Sequence, residues 1–281
     1  MSVWFITGAS RGFGLLIARE ALARGNQVVA TARHSSDIQK ALPDAGDDLV
    51  AVDLDVTNAR QAAAAVQAAT DAFGRIDVVV NNAGRGVLGA VEEISDDEAR
   101  AVFDVNVFGT LTVQRAVLPV LRAQRSGHVI NISSVGGLVG SPGWGIYGAT
   151  KFAMEGFTET LSQELAPLGI RVTLVEPGYF RTDFLDASSL RTEGLVIDDY
   201  DQTAGATRRR AVDVNHAQPG DPVKAASAIV DIAEVPDPPL RLLLGVDSVT
   251  GVENKLRQVA ADIETWRALS ISTDHDDVRA L

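Results

Sequence analysis

The chain has 281 residues, with 37 acidic against 25 basic side chains, a formal charge of −12 and no cysteine. That length allows one large domain or two small ones, with a core that needs no metal or disulfide staple. The missing cysteines exclude a disulfide framework, a thiol nucleophile, a zinc finger and an iron–sulfur cluster. The acidic balance opposes nucleic acid or an anionic membrane as partner. Met1-Ser2-Val3-Trp4-Phe5-Ile6 lacks the basic start and long apolar run of a signal peptide. No stretch reaches the ~18 apolar residues of a membrane span, so the expectation is a soluble, cytoplasmic protein.

In chain order, β-branched runs at Val3–Ile6, Val28–Thr31, Val50–Leu54, Ile76–Val80, His128–Ile132 and Arg171–Val175 alternate with helical stretches. The helices are predicted at Phe13–Ala23, Ala59–Phe73, Asp96–Leu121 and Tyr147–Leu165. Runs that are nearly continuous in apolar residues suit parallel strands covered on both faces. The pattern predicts an α/β fold: a single Rossmann-type, doubly wound parallel sheet of about seven strands with helices on both faces. Residues 1–281 read as one domain, with a loop-rich lid at about 183–222 and a C-terminal helical extension at about 247–281. Leu240–Gly245 reads as a late strand. Val252, Leu256, Val259, Ile263 and Trp266 then form one apolar helix face, expected to pack on its own domain rather than in an intermolecular seam.

The first strand runs into Thr7-Gly8-Ala9-Ser10-Arg11-Gly12-Phe13-Gly14 and then a helix. A strand opening into a Gly-rich turn and a helix N-terminus aims backbone N–H groups at a pyrophosphate, so Gly8, Ser10, Arg11, Gly12, Phe13 and Gly14 are candidate dinucleotide contacts. An acidic residue at the end of the second strand would bind the ribose 2′-OH of NAD. Here Ala30-Thr31-Ala32-Arg33-His34 offers none. Arg33 and Arg11 can instead form a cationic clamp for a 2′-phosphate, which favours NADP(H) over NAD(H). Asp53 and Asp55 do not supply enough oxygen ligands for a hard metal ion, and no metal is expected. His34, His128, His216 and His275 are scattered and read as surface or loop residues.

Taken together, Thr7-Gly8-(x)3-Gly12-x-Gly14, Asn81-Asn82-Ala83-Gly84, Asn106, Ser134, Tyr147-(x)3-Lys151 and Pro177-Gly178 with Thr182 resemble the short-chain dehydrogenase/reductase superfamily. The match runs from Val3 to about Thr182 and resumes at Leu240–Gly245. The resemblance implies that Asn106, Ser134, Tyr147 and Lys151 are catalytic. It places Asp55 and Val56 against the adenine, and Asn82, Ala83, Gly84, Pro177, Gly178 and Thr182 along the cofactor. Lys151 would also bind the nicotinamide ribose, and Asn106 would hold a helix irregularity. The Asn106 and Tyr147 helices would form a homodimer or homotetramer interface.

Tyr147 and Lys151, four apart, share one helix face. A neighbouring ammonium favours the phenolate, so Tyr147 is expected to titrate below its usual pH ~10. Ser134 lies 13 positions before Tyr147, the family's spacing, and would hydrogen-bond the substrate oxygen. Its neighbour Ser133 is one residue out of step and is expected to be structural. The predicted activity is NADP(H)-dependent interconversion of a carbonyl and an alcohol on a mainly hydrophobic small molecule, in the reductive direction. By analogy with the family, Gly136–Trp144, Arg85–Leu88 and Phe184–Ala217 wall the pocket. The alternative is a non-catalytic NADP(H) sensor or scaffold on the same fold. The four filled catalytic positions, Asn106, Ser134, Tyr147 and Lys151, argue against it.

Overall fold

A computed structural model describes residues 1–192 and 194–275. Glu193, inside the expected lid, and the last six residues of the expected C-terminal extension lie outside the described residues. Seven parallel strands form the central sheet: β1 (Val3–Thr7), β2 (Gln27–Ala32), β3 (Leu49–Asp53), β4 (Val78–Asn81), β6 (Gly127–Ile132), β7 (Ile170–Pro177) and β9 (Arg241–Leu244). Their order is β3-β2-β1-β4-β6-β7-β9. The chain reverses direction across the sheet between β1 and β4, which opens a crevice at their C-terminal ends. Open α/β sheets bind ligands at such a switch point.

Successive strand residues face opposite layers, and the β-branched runs fill both. Trp4 and Ile6 pack with Ile17, Ala18 and Ala21 of α1 (Gly12–Ala23), Ile38 of α2 (Ser35–Ala41), and Ile229 and Val230 of α8 (Pro222–Glu234). Phe5, between them, faces Ala65 and Val66 of α3 (Ala59–Phe73), Val113 and Val117 of α5 (Thr110–Gln124), and Leu165 at the end of α6 (Gly145–Leu165). The alanines of α3 let the helix lie close to the sheet. Asn58 caps it by accepting from Arg60 N and Gln61 N, and Gly74 ends it at φ 73°.

The expected 96–121 helix is two helices, α4 (Asp96–Phe103) and α5, joined by a π-helical turn over Asp104–Gly109. Outside the main sheet, β5 (Gly86–Leu88) pairs in parallel with β8 (Leu190–Thr192). This small ribbon ties segment 183–222 to the body. The rest of the segment holds short 3-10 turns, a second π-helical turn over Asp201–Gly205, and α7 (Ala206–Val214). The last described helix, α9 (Val246–Ile271), is docked only by its first two turns, where Ser248 and Val252 are buried. The expected packing of Leu256, Val259, Ile263 and Trp266 on the domain does not occur, because the helix leaves the body after Val252 and all four are exposed. No described helix is long and apolar enough to cross a membrane.

His128 also departs from expectation. It lies fully buried in β6, its Nε2 2.9 Å from Thr173 Oγ1. Burial, with Arg171 nearby, pushes its pKa down to about 3. The alternation of the strand, rather than the polarity of the residue, decided its place. Asn131, part of an Asn-Ile-Ser sequon, is buried in the same strand, bonded to Asn81, Gln114 and Thr158.

Candidate active site

The turn after β1 is shaped by glycine where side chains cannot go. Gly8 and Gly12 sit at φ 66° and 55°, a region that L side chains rarely adopt. A Cβ on Gly14 would lie 2.4 Å from the Gly8 carbonyl oxygen and 2.5 Å from Asn82 Nδ2. Asn82 latches this turn, its Nδ2 donating to the Thr7 and Gly8 carbonyls at 2.9 and 3.1 Å. Thr7 Oγ1 accepts from Asn82 N and Ala83 N, both at 3.0 Å. Helix α1 begins with no side-chain cap and no acidic residue in its first turn. Its first amides are therefore available to an anion. A Cβ on Gly12 would meet only Thr182, 4.0 Å away, and the Phe13 and Phe180 rings pack edge-on at 5.3 Å. Thr182, from the turn after β7, thus faces the glycine loop.

The two arginines do not form a pair. Arg11 donates to Ser188 Oγ, Ser188 O and Ser189 Oγ at 2.6, 3.0 and 2.9 Å, which joins the loop to segment 183–222. Arg33 is exposed at the end of β2. Asp53 accepts instead from Ser35 N at 2.6 Å, a bond that lowers its pKa. Asp55 accepts from the Thr57 amide and hydroxyl, and Val56 is buried against Gly109. Asn81, unlike Asn82, belongs to the sheet, donating to Asn131. Gly178 lies against Asp247 at the start of α9, which accepts from Tyr179 N at 2.7 Å.

Four further residues converge from three elements. Asn106 sits in the π-helical turn, fully buried; its Oδ1 accepts from Arg85 N at 2.9 Å, and its Nδ2 donates to Arg85 O at 2.9 Å and Thr150 Oγ1 at 3.0 Å. Ser134 follows β6 in extended conformation and accepts from Gly136 N at 3.1 Å. A Cβ on Gly136 would lie 3.5 Å from Ser134 Oγ and 3.8 Å from Tyr147 Cε1, so the serine and the tyrosine flank that glycine. Lys151, one turn beyond Tyr147 on α6, donates to the Ile132 carbonyl at 2.8 Å, with Nζ 5.8 Å from the Tyr147 ring centre.

The electrostatics differ from the simple expectation of an ammonium that acidifies a phenol. Burial raises the Tyr147 hydroxyl well above its usual range; a hydrogen bond from Ser134 opposes that rise, and Tyr179 adds to it. Burial lowers Lys151 to about 8, with Glu155 opposing. Desolvation outweighs the neighbouring charge because both groups are deep under side chains. Tyr147 sits among Val87, Leu88, Trp144 and Leu190, with the Trp144 and Phe184 rings 5.6 and 5.4 Å from its own. Of the expected walls, Val87 and Leu88, Gly136 and Trp144, and Phe184, Leu190 and Ala211 from the stretch Phe184–Ala217 lie in or beside this cluster. A separate cavity of about 460 Å³ opens beside this cluster, between Ala90–Glu92, Ser141–Gly145 and Tyr200–Ala204.

Sequence reasoning missed a buried acidic pair beneath this wall. Glu155 on α6 and Glu176 on β7 are both buried, with Arg241 Nε 3.3 and 3.5 Å from one oxygen of each. Burial raises both, and Glu155 also drives Glu176 up, to about 8. The signal was present in the spacing: Glu155 continues the Tyr147, Lys151 ladder by another four residues. Among the described residues no group of acidic and histidine side chains could hold a metal ion.

A glycine cradle at the switch point, with half-buried Ser134 and buried Tyr147 and Lys151 beside it, is the arrangement of a Rossmann-type protein. The short chain dehydrogenase family model matches residues 2–192. Oxidoreductase BOA17 of Botryotinia fuckeliana is 40% identical over 272 residues, 96% of this chain and 98% of the relative. A short-chain dehydrogenase of Streptomyces avermitilis shares the fold with a TM-score of 0.91 at 40% identity, covering 98% of this chain and 99% of its own. A short chain dehydrogenase/reductase of Burkholderia phymatum, solved in complex with NAD, gives 0.79 at 28% identity, covering 100% and 98%. The chain belongs to the short-chain dehydrogenase family and is an oxidoreductase of that family.

Proposed function

We propose that this oxidoreductase reduces the carbonyl of a mainly apolar small molecule with NADPH. The observation that carries the reading is a buried, protonated Tyr147 flanked by Ser134 inside an apolar cluster. The nicotinamide supplies the hydride. The uncapped first turn of α1, with Gly8, Ser10, Gly12, Phe13 and Gly14 around it, suits the pyrophosphate, and Thr182 closes the far side. Asn82, Ala83, Gly84, Asp55, Val56, Pro177 and Gly178 complete the cofactor side. The exposed Arg33 offers a cation where NAD-selective sites carry an acid, and Arg11 would join it as the second member of a clamp only by leaving Ser188 and Ser189.

Ser134 donates its hydroxyl hydrogen to the substrate oxygen and orients it. Tyr147 gives that oxygen its proton as negative charge develops there, and Lys151 stabilises the phenolate that remains. Asn106, tied to Arg85 and Thr150, fixes the π-helical turn at the back of the site. Trp144, Phe184 and Leu88 surround the reacting oxygen with apolar surface, which favours hydrophobic ketones and aldehydes over sugars. The family interface through α5 and α6 makes the protein a homodimer or homotetramer, and its activity belongs in the cytoplasm.

The test is NADPH oxidation, followed by absorbance, across a panel of ketones and aldehydes. Tyr147→Phe should lower turnover by about 10²–10⁴-fold while NADPH binding is retained. Full activity in that variant would overturn the mechanism, and silence across the panel with tight NADPH binding would favour the sensor. Arg33→Ala should raise the KM for NADPH with little change for NADH. A wild-type preference for NADH would remove the clamp.

A further inference from the structure

From Leu256 to His275 every residue is exposed, although the sequence keeps a strict apolar stripe along α9. Leu256 is 63% exposed, Val259 39%, Ile263 54% and Trp266 60%. Most helical stability in proteins comes from packing an amphipathic face, and an apolar stripe rimmed by polar residues marks an interaction site. The stripe follows 4,3,4,3 spacing, with Asn254, Arg257, Gln258, Ala261, Glu264 and Thr265 on the outer side. Such spacing fits another helix better than it fits a pocket.

Charge selects among partners. Lys255, Arg257 and Arg267 are balanced by Glu253, Asp262 and Glu264, so α9 lacks the basic excess that draws an amphipathic helix to anionic lipid. The same residues are self-complementary when the helix is reversed on itself. We propose that α9 pairs antiparallel with α9 of a second copy of this chain. The register that overlaps α9 from Gly251, in the docked turns, to Ile271 sets Leu256 against the partner subunit's Trp266 and Val259 against the partner subunit's Ile263. Symmetry repeats both layers. All four stripe residues are then covered, and none of the side chains already buried on the body is required.

Flanking positions agree with this register. Glu253 lies beside the partner subunit's Arg267, twice by symmetry, and Ala260 meets the partner subunit's Ala260, where a small side chain permits close approach. Lys255 lays its stem along the partner subunit's Leu269. Asp262 faces the partner subunit's Asp262 on the axis, the one unfavourable pair. The contact is isologous and therefore closed, giving a dimer of whatever unit the α5 and α6 faces form. The pairing is independent of the catalytic reading.

The test is the mass of the full chain by light scattering at tens of micromolar. Leu256→Asp with Ile263→Asp, both at exposed positions, should halve that mass without changing the melting temperature or nucleotide binding. Glu253→Arg should weaken assembly about tenfold through two symmetric repulsions, and adding Arg267→Glu should restore it. Asp262→Asn should tighten it. A monomeric wild type, an unchanged mass in the double aspartate variant, or failure of the charge reversal to restore assembly would each overturn the proposal.

Discussion

Lys151 and segment 183–222 are held by different means. Lys151 is fixed by a strand carbonyl and sealed by burial, and Asn106 by two backbone groups and a buried threonine. Beyond the apolar packing of Phe184, Leu190 and Ala211, segment 183–222 is held at its rim by Arg11 on Ser188 and Ser189, Arg208 on Glu93, Tyr200 on Glu92, and the three-residue β8. The first arrangement depends on regular elements that cannot move singly. The second depends on side-chain contacts that open without unfolding the sheet. On the proposed function, a wall that transfers a proton needs fixed geometry, whereas a segment that covers its pocket must admit a ligand. The difference between the two regions suits that division of labour.

Breaking the Glu93–Arg208 pair separates the two regions most sharply. Glu93 is 1% exposed and also accepts from Ala90 N and Ile197 N, so three parts of the rim meet on one carboxylate. Those bonds, the one from Arg208 foremost, hold its pKa down to about 2 against the opposing effect of burial. Glu93→Ala should cost about 3 kcal/mol, because it leaves Arg208 partly buried and unpaired. Urea denaturation would measure that cost. Activity should fall through a raised KM for substrate, with NADPH binding unchanged. An equal loss in NADPH binding would mean that the segment and the wall are one unit.

Much of this division could be read from the chain. The β-branched runs depend on local geometry, and the seven strands of the main sheet fall where the pattern puts them, whereas the crossover helices α2 and α8 had no predicted counterpart. The π-helical turn at Asn106 was legible only through resemblance, since a polar residue between two valines has no distinctive period. Glu155 and Glu176 were passed over because a buried acid looks like a surface one until the opposing Arg241 is brought near by the β7–β9 pairing. For α9 the spacing identified an apolar face but not what lies against it, because periodicity encodes a face and not its partner. The same limit applied to Tyr147, whose titration is set by burial under Trp144 and Phe184, two residues that the sequence leaves far apart.

Acid should distinguish the regions in the reverse sense. His128 in β6 is neutral when folded, with its pKa lowered from 6.5 to about 3, so the unfolded chain binds a proton that the folded chain refuses. Its contribution is complete above pH 6.5 and is lost as pH falls toward 3, by up to about 1.4 kcal/mol per pH unit. Glu93 also contributes above its ordinary value near 4.5 and loses that contribution only as pH falls from there toward 2. Between pH 6.5 and 4.5 the His128 loss is opposed by Glu176, whose pKa raised to about 8 favours the folded chain as pH falls, so the melting temperature should change little there while the rim pair stays intact. His128→Gln should remove the opposing loss, so that melting temperature rises as pH falls from 6.5 to 4.5. An unchanged slope in that variant would mean that His128 carries no such loss.

The smallest effect tests the joint between the regions. Arg11 belongs to the glycine loop, yet its guanidinium is spent on Ser188 and Ser189. Arg11→Ala removes those bonds from a largely solvated site, where they amount to about 1 kcal/mol. Amide exchange over 188–192 should then quicken about fivefold, with exchange in β4 and β6 unaltered. NADPH provides the second reading. If Arg11 turns to a 2′-phosphate, wild-type exchange at Ser189 and Leu190 should change with NADPH and not with NADH. The same response to both nucleotides would leave Arg11 as a latch alone and Arg33 as the remaining basis for cofactor choice.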